Sequence, residues 1–154
     1  MSESGMSVAP TTPLFSTERT FRVWRYGVGH SQLLLCSMPW GEHTDRLDLL
    51  FEDVHAMQLV TRYEALEIHA VDEPQFDRLY EQSGLPARWK RSQLIVKLKS
   101  GSGAGWVQCG RLTLERRKGA EQDPVDRSGP RDLLLSLRPA DLRTRRAGSD
   151  PTAP

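Results

Sequence analysis

Hydrophobic and polar positions alternate most clearly over residues 46–70, RLDLLFEDVHAMQLVTRYEALEIHA. Leu47, Leu49 and Phe51 share one parity; Arg46, Asp48 and Glu52 take the other. A period of two predicts a strand with one apolar and one wet face. Glu52-Asp53 offers a turn, since an Asp side chain bonds nearby backbone groups. A second run starts at Val54, with His55, Met57 and Leu59 in phase. A third places Leu66, Ile68 and Ala70 opposite Glu67 and His69, and residues 61–64 between them read as a loop. Met57, Leu59 and Val60 also fit a helical face loosely, but the runs are short and carry β-branched and aromatic residues, which favours strands.

Similar patterns flank this stretch. Residues 20–28 (TFRVWRYGV) predict a strand with Phe21 and Val23 on one face and Arg22, Trp24 and Tyr26 on the other. A glycine-containing turn leads to a return strand over 32–37 (QLLLCS), whose leucine run predicts cover on both faces. Met38-Pro39-Trp40-Gly41 ends it, because proline removes a ladder donor. One helix is predicted after residue 72. Asp72 is the N-cap, Pro74 sits in the first turn, Phe76, Leu79 and Tyr80 form the apolar stripe, and Gly84 is the C′ residue. Strands over 93–99 and 106–115 flank a flexible SGSGAG loop, with Gly110 marking a bulge or a close backbone approach.

The expected fold is mainly β, a small antiparallel sandwich or partly open barrel with one short helix. The alternative is an α+β sheet with one covering helix. Residues 1–18 are rich in Ser, Thr, Pro and Gly and are expected to be disordered. The domain is expected over 19–115. Residues 116–154 read as a mostly disordered tail with an apolar island at 132–142. That island is either the last strand of the domain or a docking element for a partner.

Composition narrows the function classes. The chain has 154 residues, 38% hydrophobic and 27% charged, with formal net charge +1. Residues 19–115 are neutral by formal charge and 116–154 carry +3, which is not the concentrated basic stripe of a nucleic-acid binder. No apolar run approaches the roughly 20 residues needed to cross a bilayer, and no secretory leader pattern opens the chain. A cytoplasmic location is expected. Cys36 and Cys109 sit in apolar runs and read as buried small hydrophobes; a bridge between neighbouring strands is the alternative.

Chemistry-bearing patterns are sparse. His30, His43, His55 and His69 lack the spacing of a zinc site, although strand pairing offers one route to bring His55, His69 and Glu67 together. Ser31 lacks the G-x-S-x-G elbow, and an apolar setting makes Cys36 inert. Asp45, Asp48, Glu52 and Asp53 read as a solvated acidic patch. No catalytic residue, metal or cofactor is expected, and the chain reads as leaning away from enzymes. The aromatics carry more. If Trp24 and Tyr26 point outward, they join Arg22 in a patch of the composition found at binding hot spots. If they point inward, they belong to the core. Trp40, His30 and His43 are loop residues that converge if the strands form a barrel mouth, which would suit a small ligand or a small active site.

The runs FRVWRYGVGHSQLLLCS and DLLFEDVHAMQLVTRYEALEIHAVDE resemble small all-β bacterial proteins of uncharacterised type and, more distantly, immunity proteins of polymorphic toxin systems. The likeness is carried by Trp24, His30, Phe51, Val54, Met57, Leu59, Leu66 and Ile68 and spans about half the chain. It implies a cytoplasmic binder of one protein without catalysis, and it transfers no functional residue. The sequence therefore leads to a protein-binding β-domain of immunity or adaptor type. Its expected binding residues are Arg22, Trp24, Tyr26, His30, Trp40 and His43.

Overall fold

The computed structural model describes residues 12–118 and 130–148. In chain order its strands are β1 (Phe15–Ser16), β2 (Phe21–Gly27), β3 (Gln32–Ser37), β4 (Arg46–Glu52), β5 (Ala56–Gln58), β6 (Arg62–Tyr63) and β7 (Glu67–Ala70). Helix α1 (Glu73–Ser83) precedes β8 (Leu94–Lys99), β9 (Ala104–Cys109), β10 (Arg111–Arg117), β11 (Arg131–Leu137) and helix α2 (Pro139–Gly148). The strands form two antiparallel sheets, a five-stranded one in the order β1-β7-β8-β9-β5 and a six-stranded one in the order β11-β10-β4-β3-β2-β6. The expected sandwich is the observed architecture.

The core lies between the sheets and follows from strand parity. Leu33 and Leu35 of β3, Leu47, Leu49 and Phe51 of β4, and Leu112 and Leu114 of β10 meet Ile68, Leu94, Val96, Leu98 and Val107 of the other sheet. Fully burying each such side chain contributes about 1.5–3 kcal/mol. Helix α1 covers the outer face of the five-stranded sheet, where Phe76, Leu79 and Tyr80 pack on Val71 and Ile95. Its start is fixed by the Asp72 carboxylate accepting from the Gln75 N–H at 2.8 Å, and Gly84 ends it with φ 75°. Trp106 packs against this layer and is not a free surface.

Several expectations change. Residues 61–64, read as a loop, contain β6, whose two residues pair with Phe21 and Arg22. Of the two expectations for Gly110, a bulge within one strand gives way to a close approach, with its N–H donating to the Glu52 carbonyl at 2.9 Å. This glycine is where the chain leaves β9 in one sheet and enters β10 in the other, and a Cβ there would meet Asp53 at about 3.0 Å. Gly105 is needed for close approach, since a Cβ would lie 2.4 Å from the Gln58 carbonyl and 2.5 Å from the Tyr63 hydroxyl. β1 falls inside the stretch expected to be disordered, held to β7 by Leu14 N–H to Ile68 O at 2.7 Å. The ordered unit also runs past residue 115. The apolar island is a strand of its own sheet, because β11 pairs with β10 from Leu112↔Leu137 to Arg117↔Arg131. Leu137 and, on the unforeseen α2, Leu142 are buried in the core. The disorder expected of residues 1–11, 119–129 and 149–154 lies outside the described residues.

Candidate functional site

A groove of about 670 Å³ lies at one end of the β2–β3 hairpin. β3 supplies Cys36 and Ser37, and the chain after it supplies Met38, Pro39, Trp40 and His43. β2 adds Arg22 and Trp24, β6 adds Arg62, and Glu18, Arg19 and Thr20 complete the lining. Four of the six expected binding residues, Arg22, Trp24, Trp40 and His43, are therefore brought together.

Each wall has a local cause. Pro39 ends β3, and Gly41 at φ 62° lets the chain double back so that Trp40 and His43 exchange backbone hydrogen bonds at 3.0 Å. This tight turn holds Trp40 82% exposed, and Trp40 also lines a second depression with Asp45 and Lys118. Arg19 clamps the base of the turn, donating to the Ser37 hydroxyl at 3.0 Å and to the carbonyls of Ser37 and Asp45 at 3.1 and 2.5 Å. Burial pulls the Arg19 guanidinium below its ordinary pKa, the Asp45 carboxylate opposes this, and Arg116 adds to it.

A bulge divides the β2 stripe. Val23 pairs with Leu35 and Arg25 with Leu34, so Trp24 is the extra residue between them. One inserted residue moves everything beyond it to the other face. Arg22 and Trp24 line the groove, while Tyr26 pairs with Leu33, a core residue. The expected shared face of Arg22, Trp24 and Tyr26 is corrected on this ground. Neither aromatic is buried, with Trp24 at 43% and Tyr26 at 39% exposure. His30 does not join the site either. It lies in the 3-10 turn Val28–His30 at the far end of the hairpin, about 20 Å away for a six-residue strand. The sheets do not close into a barrel, so no mouth gathers His30 with Trp40 and His43.

Beneath the groove is a buried ionic layer that strand parity hides. Arg46 and Asp48, expected on a wet face, are 1% and 0% exposed. Asp48 accepts from Arg46 Nε at 2.8 Å and from Arg117 Nε at 2.9 Å, while Arg117 also reaches Glu115 at 2.8 Å. Cys36 points its thiol at Asp48 Oδ1, 3.4 Å away. The solvated acidic patch is thereby corrected at Asp48, a structural anion between β4 and β10.

Other candidates fall apart spatially. His69 bonds Glu67 at 2.8 Å and His55 bonds Asp53 at 2.9 Å, but β8 and β9 stand between β7 and β5, placing the two histidines on the order of 14 Å apart. Among the described residues no group of three or more His, Cys, Asp or Glu is arranged to hold a metal. Cys36 and Cys109 are both buried and are not joined in a disulfide. Among the described residues no helix is long and apolar enough to cross a membrane. Glu18, Arg19 and Arg62 were missed as lining residues. Nothing in their local sequence distinguishes them, since pairing of β6 with β2 is what delivers Arg62. Protein-family models, curated proteins and solved structures offer no match to this chain.

Proposed function

We propose that this chain is a non-enzymatic protein-binding β-domain, of adaptor or immunity type, that grips its partner at the groove between Trp24 and Trp40. The observation that carries this reading is the pair of tryptophans, 43% and 82% exposed, that line one groove. Exposing rings of this size forgoes burial, and Trp, Met and Arg are the residue types enriched where interfaces concentrate their energy. Met38, also exposed, adds an adaptable apolar contact. The walls are preorganised by the Trp40–His43 bridge and the Arg19 clamp, so little ordering is left to offset on binding. The nearest thiol, Cys36, is 2% exposed and turned to Asp48, which favours recognition over nucleophilic chemistry.

A small ligand is the competing reading, since the groove volume lies in the range of ligand pockets. The deciding experiment is parallel affinity capture with the tagged chain and its Trp24→Ala/Trp40→Ala variant from the cells that produce it, read by mass spectrometry. One stoichiometric protein retained by the native chain and lost from the variant is expected. A solitary native chain, or the same proteins on both, overturns the reading.

A further inference from the structure

The arginines that line the groove are unequally compensated. Arg22 and Arg62 are direct cross-strand partners on β2 and β6. Directly opposed residues of an antiparallel pair project to the same face with Cβ atoms about 4.5–5.5 Å apart, and like charges there repel. Arg62 is ion-paired with Glu64 at 2.9 Å. Among the described residues the Arg22 guanidinium has no carboxylate partner, and its side chain is exposed. Arg19, the third arginine of the lining, is committed to backbone carbonyls, and Glu18 is the one carboxylate of the lining. Of the three arginines in the lining, Arg22 is therefore the one left without a carboxylate or carbonyl partner among the described residues, in a lining that also holds Trp24 and Trp40.

We infer that the groove takes an acidic segment of the partner protein, with an Asp or Glu carboxylate seated between Arg22 and Arg62 and neighbouring apolar side chains against Trp24 and Trp40. This deepens the protein-binding reading and rests on it. A carboxylate suits the position because a guanidinium presents a planar fork of donors that matches it in bidentate fashion. An anion at this point also relieves the repulsion that the pairing of β2 with β6 builds in. The aromatic walls distinguish a protein segment from a small inorganic anion, which would leave both tryptophans in water.

The test uses random dodecapeptides displayed on phage, selected on the immobilised full chain, with the enriched peptides synthesised and titrated by fluorescence anisotropy. Enriched sequences are expected to carry Asp or Glu beside aromatic or branched apolar residues. Arg22→Glu is expected to weaken them at least tenfold, and exchanging the peptide's acid for Lys is expected to restore binding to that variant. Trp40→Ala weakens them as well. Basic or uncharged winners, or no winners, overturn the inference, as does indifference to Arg22→Glu. Peptides lost by Trp40→Ala but indifferent to Arg22→Glu leave the groove standing and remove its acidic partner. Peptides indifferent to both variants remove both. Circular dichroism of the Arg22→Glu chain checks its fold, which the exposure of Arg22 leaves intact.

Discussion

Asp48 ties β4 to β10 in the six-stranded sheet. It is fully buried and accepts from Arg46 and Arg117, while Glu115 takes the second arm of Arg117. A buried ion pair is not in itself a large source of stability, because desolvation offsets the attraction, but removing one partner leaves a buried charge behind. Asp48→Asn keeps the shape and removes the charge. It is expected to cost about 3–5 kcal/mol, seen as a lower urea midpoint at an unchanged m-value. A cost below about 1 kcal/mol would mean that the two arginines find compensation without this carboxylate. Alternation placed Asp48 on a wet face because period two reports parity and not cover. A residue opposite the core is solvated only when nothing lies over it, and local sequence carries no term for that.

At the level of single elements, strands with strong alternation and a signalled turn were readable before folding. β2, β3 and β4 appear at or near their predicted bounds, and α1 carries the predicted cap, stripe and C′ glycine. β1 and β6 were not readable, since two residues carry no period. The bulge in β2 was equally hidden: nothing in FRVWRYG marks Trp24 as the extra residue, and it is the register with β3 that sets it apart. The segment after residue 130 shows how an element can be seen while its role is not. Its leucines announced an apolar island, and pairing with β10 makes it part of the domain. Leu142 on α2 is 2% exposed, whereas Leu133 on β11 is 60% exposed. Leu142→Ala is therefore expected to cost about 2–5 kcal/mol by chemical denaturation, and Leu133→Ala less than about 0.5 kcal/mol. Equal, small effects would mean that this segment packs only loosely on the sandwich.

For the molecule as a whole, stability against alkali follows from what the sandwich encloses. Burial pushes the Cys109 thiol well above its ordinary pKa, with the nearby Asp53 and Glu52 charges acting in the same direction and a backbone hydrogen bond from Arg111 opposing. The Tyr63 hydroxyl is also raised by burial, against a hydrogen bond from Val60. For an acid whose folded pKa is raised, the folded state holds its proton while the unfolded chain releases it. Unfolding stability is then full below the unfolded pKa and falls as pH rises through it. The decline is expected to begin near the ordinary thiol value of about 8.5 and to approach about 1.4 kcal/mol per pH unit, with Tyr63 joining above about pH 10. Urea midpoints between pH 7 and 10.5 measure it, and Cys109→Ala should remove the first part of the slope. A flat profile up to pH 10 would place the thiol in contact with water.

The candidate site divides along the same line. In the sequence, Arg22 and Trp24 formed a binding patch only if the tryptophan faced outward, and Trp40 and His43 were loop residues offered to a barrel mouth. Strand identity, turn chemistry, the helix with its caps, and the apolar parity of the core all follow from neighbours within a few positions, and those interactions are local in the chain. Which strands pair, in what register and in which sheet is settled by contacts between distant residues. Those contacts carried Arg62 beside Arg22, moved Tyr26 across the sheet, left His30 at the far end of its hairpin and covered Asp48. A groove is a relation among such segments, and no one of them encodes it alone.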